Sequence, residues 1–211
     1  MTDINNELAA ALAHEIKNPI SVIKANVDFL KLSYGSKHGK CFNIIDKELS
    51  KLSTIISDYT TILSPDITDE IIFPEDLIYD VTDEFSLIND KSIDFTFDIE
   101  PDISIKGDYR KLSILLFNIY KNSTEAISAS GEIHTKLFNI DNSTVIEIAD
   151  TGSGIPHYLE DKIGTPFLTT KENGSGLGLV ICQTIVKNHN GTMNIENTET
   201  GCKTTLKFFH N

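Results

Sequence analysis

The sequence lacks the features that mark secreted and membrane-spanning proteins. Its 211 residues include only three cysteines, Cys41, Cys182 and Cys202, whose number and spacing fit neither a disulfide framework nor a zinc knuckle. We therefore expect small buried thiols in a reducing compartment. No run approaches the roughly 20 apolar residues that cross a bilayer, and the N-terminus has no secretory signal. These absences predict a cytoplasmic protein.

Positive charge is also scarce. The chain has 18 Lys and Arg residues against 31 Asp and Glu residues, which gives a formal net charge of −13. Such a surface repels nucleic acid phosphates and anionic lipids, so we expect neither nucleic acid nor a membrane as a partner. A phosphate site on this protein would have to be built locally, from backbone N–H groups and a few cations.

The first 65 residues predict two amphipathic helices joined by a glycine-containing turn. Apolar residues recur at steps of three and four, as in a heptad seam. The seam comprises Leu12, Ile16, Ile20, Ile23, Val27 and Leu30 in the first helix and Phe42, Ile45, Leu49, Leu52, Ile56, Tyr59 and Leu63 in the second. One hairpin buries little alone, whereas two would bury both seams in a four-helix bundle. We therefore expect a homodimer.

The sequence after Pro65 predicts a separate α+β domain over residues 66–211, since proline resists continuation of the second helix. We predict a mostly antiparallel sheet with helices on one face. The predicted helices cover 74–86, 108–129 and 177–188, and the predicted strands cover 93–99, 132–140, 144–149, 191–196 and 203–209.

His14 lies on the face of the first helix opposite the apolar stripe, because it is two residues from both Leu12 and Ile16 and so is rotated by ~200°. Glu15 can take a proton from the imidazole or fix its tautomer, and Asn18 can orient a water or a phosphoryl oxygen. An isolated histidine here would be a solvated surface residue. These neighbours favour a nucleophile.

Asn118, Lys121, Asn122 and Glu125 form the polar stripe of an otherwise apolar helix. The stripe is either a plain solvent face or a binding site. Amide and carboxylate oxygens suit Mg²⁺, and Lys121 could meet a phosphate as a point charge.

Two glycine-rich segments follow. Asp150 stands at the end of a predicted strand, where its carboxylate can accept a hydrogen bond from an exocyclic amine such as adenine N6, and Gly152 and Gly154 allow close approach of a flat ring. The alternative is an ordinary turn. Residues 174–178 open a helix whose N-terminus favours anions, but they match neither the Rossmann nor the Walker pattern. Residues 165–171 between these segments suit a mobile lid over a nucleotide.

In this order, the residues resemble the sensor histidine kinases of two-component systems over nearly the whole chain. His14-Glu15-Ile16-Lys17-Asn18-Pro19 is similar to the family's H box, residues 118–126 to its N box and 150–154 to its G1 box. Pro166-Phe167 resembles the F box, and 174–178 the G2 box. The pattern is most similar to the nitrogen-regulatory and sporulation-type branch.

The resemblance implies a dimerisation and histidine phosphotransfer hairpin over 1–65 and a Bergerat-type (GHKL) ATP-binding α/β sandwich over 66–211. It implies that His14 Nε2 attacks the γ-phosphorus of ATP with Glu15 as acid or base. A receiver-domain aspartate of a response regulator then takes the phosphoryl group, and Asn18 aligns a water for the reverse dephosphorylation.

The resemblance also implies the nucleotide contacts. Asn122, helped by Asn118, would ligate Mg²⁺, and Thr204 would approach the adenine through water. The implied nucleotide-binding residues are Asn118, Lys121, Asn122, Asp150, Gly152, Gly154, Thr170, Lys171, Gly174, Gly176, Leu177, Gly178 and Thr204.

Two rival functions compete with this interpretation, and the sequence departs from the family pattern in one respect. A phosphotransfer scaffold without ATP chemistry would be expected to lose Asn122, Asp150 and the glycines, and related ATPases such as serine-kinase anti-sigma factors or gyrase-like enzymes lack the His-Glu helix. Only thirteen residues precede His14. We therefore expect that a separate sensor or regulatory protein controls the chain, or that a sensor domain has been removed from the sequence.

Overall fold

The computed structural model describes most of the chain, namely residues 20–32, 34, 39–50, 52–53, 56, 68, 70–88, 91–166, 168–169, 171 and 176–210. They belong to two compact units, one drawn from residues 1–65 and 166–177 and the other from 66–165 and 178–211.

The first unit is helical over residues 20–32 and 39–50. Its buried apolar side chains are spaced by seven within each helix and form one cluster of Ile20, Val27, Phe42, Leu49 and Ile56. The two helices are also joined by an ion pair between Lys31 and Asp46. The seven-residue spacing agrees with the predicted heptad pattern, but only one of its two apolar positions is buried within the chain.

The second unit contains a mixed sheet and a short two-stranded sheet, and we number its helices α1 to α3. The elements are β1 (Glu70–Ile72), α1 (Pro74–Ile88), β2 (Ser92–Ile99), β3 (Ile105–Gly107), α2 (Tyr109–Ala126), β4 (Ser130–Ile140), β5 (Ser143–Asp150), a 3₁₀ helix (His157–Lys162), α3 (Gly178–Asn188), β6 (Gly191–Asn197) and β7 (Cys202–Phe209). The five-stranded sheet has the order β2-β4-β5-β7-β6, and β1 pairs with β3.

The large sheet is antiparallel except at one edge, where β2 runs parallel to β4. Alternate residues of the central strands are buried, as expected for a sheet covered by helices on one face. Examples are Ile133 and Leu137 of β4, Ile148 of β5 and Leu206 of β7. This arrangement confirms the predicted α+β sandwich. The short β1–β3 pair was not predicted.

Helix α2 begins and ends through specific capping contacts. Asp108 is its N-cap and accepts a hydrogen bond from the backbone N–H of Lys111 at 3.0 Å. At the other end, the ammonium of Lys91 donates to the carbonyls of Thr124 (2.7 Å) and Ile127 (2.5 Å). The predicted end at residue 129 was wrong, because Ile127 turns into an extended conformation and is buried.

A buried histidine joins the start of α2 to the end of α3. The Nδ1 of His189 lies 2.8 Å from the carbonyl of Ile185, and the backbone N–H of Asp108 donates to its Nε2 at 3.0 Å. Since a carbonyl can only accept and an N–H can only donate, the ring is neutral with its proton on Nδ1. Burial lowers the pKa of His189, which favours this neutral form.

Candidate nucleotide site

The carboxylate of Asp150 is held in place at the end of β5. Its Oδ1 accepts hydrogen bonds from the backbone N–H groups of Gly152 (2.9 Å) and Cys202 (3.3 Å), and the side chain is buried. Two backbone donors on one oxygen fix the direction of the other oxygen. The other oxygen is therefore held ready to accept a hydrogen bond, and the role of Asp150 in adenine binding stays a prediction.

Two glycines beside Asp150 are required by close packing. A Cβ on Gly152 would meet Ala126 Cβ at 2.6 Å and Asp150 Oδ1 at 2.9 Å. A Cβ on Gly201 would meet the backbone oxygen of Asp150 at 2.1 Å. Gly201 was not predicted from the sequence, in which its position before the last strand was the only available signal.

Asn197 is a second residue that was not predicted from the sequence. Its amide oxygen accepts from the backbone N–H of Ile155 at 2.7 Å, while its amide nitrogen donates to the carbonyl of Ile155 (2.9 Å) and to Glu160 (2.7 Å). Gly154, next to Ile155, has a φ of 68°, which favours glycine. Asn197 thus holds the end of the glycine segment against β6.

The polar stripe of α2 lies next to this loop. The backbone N–H of Ser153 donates to the carbonyl of Ala126, the last residue of α2, at 3.0 Å. Of the predicted stripe, Lys121 and Glu125 are exposed, whereas Asn118 and Asn122 are partly buried. The stripe is therefore the open side of α2, and its C-terminal end is attached to the Asp150 loop.

Asn118 also faces the start of α3. Its amide nitrogen donates to the carbonyl of Ile114 at 2.9 Å, so its oxygen is the end left for a ligand. A Cβ on Gly178 would lie 3.0 Å from that oxygen. The missing side chain at Gly178 thus lets the first turn of α3 lie close to the amide of Asn118.

Thr204 is on the same face of the sheet as Asp150. It is buried and lies opposite Ile148 of β5, while Asp150 lies opposite Cys202. Because side chains two positions apart share a face of a strand, Thr204 and Asp150 both face the helices. This placement is compatible with a water-mediated contact to a ring bound at Asp150.

Several predicted site residues have no described position in this site. His14, Glu15, Asn18, Thr170 and Gly174 lie outside the described residues. Lys171, Gly176 and Leu177 fall in the 166–177 segment of the first unit, so their roles stay predictions. Lys171 is exposed, Leu177 is buried, and Gly176 has a φ of 68°.

The cysteines only partly follow the prediction of small buried thiols. Cys182 is buried, Cys202 is half-buried and Cys41 is exposed, so the prediction was wrong for Cys41. Burial, followed by the nearby Asp150 carboxylate, raises the pKa of Cys202 to about 12. Cys202 is therefore a neutral thiol beside the site.

In the part of the chain that the structure describes, no helix combines the length and the hydrophobicity needed to cross a membrane.

Two protein families match the chain. The family described as histidine kinase-, DNA gyrase B- and HSP90-like ATPases matches residues 107–210, which include α2, Asp150 and β7. The His kinase A phosphoacceptor domain matches residues 4–64.

Individual relatives agree with these matches. The chain is 32% identical to sporulation kinase C of Bacillus subtilis (strain 168), covering 92% of this chain and 46% of the relative. It is 33% identical to sporulation kinase A of the same strain, covering 92% of this chain and 32% of the relative. The chain thus spans less than half the length of these two relatives.

A solved structure also shows similarity to a histidine kinase. The histidine kinase ThkA, solved in complex with the response regulator protein TrrA, is 29% identical with a TM-score of 0.70, and the match covers 97% of this chain and 61% of that one. With a phosphoacceptor domain followed by an ATPase domain of this type, and with sporulation kinases among its relatives, the chain belongs to the histidine kinase family.

Proposed function

We propose that the chain is an ATP-dependent protein-histidine kinase that phosphorylates its own His14. The observation that carries the proposal is the fixed carboxylate of Asp150, which is buried and held by the N–H groups of Gly152 and Cys202. Its second oxygen would accept the N6–H of adenine. Nε2 of His14 would attack the γ-phosphorus, the bond to the β–γ bridging oxygen would break and ADP would leave. Glu15 would take the imidazole proton.

The residues at the open side of α2 would hold the phosphates and Mg²⁺. The amide oxygen of Asn118 is the uncommitted end of its side chain, and amide oxygens are the hard ligands that Mg²⁺ accepts. Asn122, one turn along on the same face, would share this role. The ion would offset phosphate charge, while the ammonium of Lys121 would meet a phosphate oxygen.

The apolar seam of the first unit supports a homodimer. Its second set of positions is exposed, with accessible fractions of 49% for Ile23, 44% for Leu30, 39% for Ile45 and 45% for Leu52. Together with the buried set, these residues make a complete heptad seam. A second hairpin would cover them in a four-helix bundle, which is the assembly that we propose.

The proposed acceptor of the phosphoryl group is an aspartate in the receiver domain of a response regulator. Support comes from ThkA, whose structure was solved in complex with a response regulator protein. The regulator would dock on the helical hairpin beside His14, and Asn18 would align a water for dephosphorylation of the regulator. A separate sensor protein and a cytoplasmic location remain predictions from the sequence.

Transfer from γ-labelled ATP tests the kinase proposal. We expect label on the chain that is labile in acid and stable in alkali, as for a phosphoamidate, and its loss in His14→Gln. Stable phosphoserine would contradict the proposal, and no binding of ATP would favour a phosphotransfer scaffold. Asp150→Asn should weaken ATP binding and leave the dimer intact in sedimentation. Addition of candidate regulators would then identify the acceptor.

A further inference from the structure

A groove in the second unit, distant in sequence from the nucleotide loops, lies between α1 and the edge strand β2. Its volume is about 530 Å³, and it is lined by Tyr79, Thr82, Asp83, Ser86, Ile93, Asp94, Phe95, Thr96 and Phe97. Its floor is aromatic: the rings of Tyr79 and Phe97 meet edge-to-face with centroids 5.1 Å apart. Phe95 and Phe97 are only half-buried. The groove therefore exposes apolar surface that could be buried further.

The outer edge of β2 offers backbone hydrogen bonds to a further strand. The N–H of Ser92 donates to Ala129 and that of Glu100 to Leu137, so even-numbered residues of β2 are bonded towards β4. The N–H and C=O groups of Phe95, Phe97 and Ile99 consequently point the other way. Within the described ranges no strand pairs with this edge. An edge of this kind can accept an extended peptide as an added strand.

The side chains of β2 specify which strand would fit. The odd-numbered residues from Ile93 to Ile99 are apolar and half-buried, and those up to Phe97 line the groove. The side chains of Asp94 and Asp98 alternate with them and are exposed on the other face of the strand, so Asp94 reaches the groove only at its rim. Side chains directly opposite each other on neighbouring strands share a face and interact. A matching strand would therefore place apolar residues over Phe95 and Phe97 and basic residues beside Asp94 and Asp98.

The surroundings are mainly acidic, with an exposed cation, Lys136 of β4, directly opposite Asp98. Helix α1 carries five carboxylates and no Lys or Arg, and its Asp83 lines the groove. The ammonium of Lys91, the basic residue just before β2, donates hydrogen bonds to the carbonyls of Thr124 and Ile127 and so points towards α2. A second copy of β2 would bring like charges opposite each other, which destabilises strand pairing.

We propose that this groove and strand edge are a docking site for an extended segment of a partner protein that alternates apolar with Lys or Arg residues. The segment adds a sixth strand next to β2. Its backbone pairs with Phe95, Phe97 and Ile99, and its alternation matches the two faces of the strand. The inference is independent of the kinase activity, because no residue of the nucleotide loops takes part in it.

The test uses the full chain and a capped synthetic peptide of the length of β2 that alternates arginine with valine. Fluorescence anisotropy should show saturable binding that weakens with added salt. A peptide of the same composition with its arginines in one block should bind far more weakly. Equal binding of the block peptide would show mere charge attraction and overturn the proposal.

Two matched sets of variants separate docking from other effects. The double variant Asp94→Asn, Asp98→Asn should bind the peptide about two- to thirtyfold more weakly, since each opposite-charge pair across strands contributes modestly. The control Asp141→Asn, Asp161→Asn removes two exposed carboxylates elsewhere and should leave the affinity unchanged. Circular dichroism spectra and urea unfolding midpoints should be closely similar in the native chain and both double variants, which shows that the fold is intact.

Methylated peptides test the backbone pairing. N-methylation of all valines removes the N–H groups that face β2 in an antiparallel pairing, and N-methylation of all arginines removes those that face it in a parallel pairing. One of the two methylated peptides should lose binding, and the other should keep it. If both methylated peptides lose binding, or if neither does, the proposal that the segment pairs as a sixth strand is overturned. If the chain associates with itself and the peptide inhibits this association, the edge binds a second copy of the chain. That result would also overturn the proposal of a partner segment.

Discussion

Substitution of Gly201 by alanine tests whether close packing behind Asp150 determines ATP binding. The new Cβ would lie 2.1 Å from the backbone oxygen of Asp150 and 2.8 Å from the nitrogen of Gly152, whereas ordinary contact begins at 3.4 Å. Since both neighbours are backbone atoms, no side chain can rotate away, and the start of β7 must move by about 1 Å. The N–H of Cys202 is already 3.3 Å from Asp150 Oδ1, so this movement breaks that hydrogen bond.

The expected magnitude follows from these two effects. Forced overpacking lowers the free energy of unfolding by about 1–3 kcal/mol. Misplacement of the charged acceptor loses a hydrogen bond to ATP worth about 1.5–3 kcal/mol, which corresponds to roughly 10- to 150-fold weaker binding. Calorimetric titration with Mg-ATP measures the affinity, and urea unfolding followed by circular dichroism measures the stability.

Gly39→Ala is the matched control. Apart from its chain neighbours and the backbone of its own helix, no atom of the described residues lies within 4 Å of a Cβ at this helical glycine. Alanine should therefore leave ATP affinity unchanged and stabilise the helix by up to about 1 kcal/mol. If Gly201→Ala is folded and binds ATP within about twofold of the native chain, the link between this contact and the nucleotide site is refuted.

Three further predictions concern buried polar contacts. Because burial lowers the pKa of His189, the unfolded chain binds the extra proton below pH ~6.5, so stability should fall as the pH drops below that value; urea midpoints should show a weaker fall in His189→Asn. Lys91→Met leaves two carbonyls at the end of α2 without its ammonium and should lower the free energy of unfolding by about 1–2 kcal/mol in urea titration. Tyr120→Phe strands the buried hydroxyl of Thr135, now 2.6 Å from the phenol oxygen, and should cost about 1–3 kcal/mol; adding Thr135→Val should restore part of it, and strict additivity would contradict the pairing.

The elements with strong local signals could be predicted from the sequence. Pro74 at the first position of α1, Asp108 before α2 and the alternation in β2 each give a local preference that the fold keeps. The strands β1 and β3 have three residues each, too few for any periodicity to be detected. The parallel direction of β2 was equally inaccessible, because alternation of apolar residues is the same in parallel and antiparallel strands.

In the candidate site, too, residues with a local sequence signal differ from residues that act only through distant neighbours. Asp150, Asn118 and Asn122 are proposed as site residues from the sequence because their chemistry is carried by the residue types themselves. Gly201 and Asn197 act only through neighbours that are far apart in the chain, since one makes room for the backbone of Asp150 and the other bonds to Ile155. Such residues can be recognised only in the folded structure, in which the sheet brings β5, β6 and β7 together. The contacts that orient a ligand-binding group are therefore less predictable than the group, and substitutions at Gly201 and Asn197 test the site as directly as substitution of Asp150.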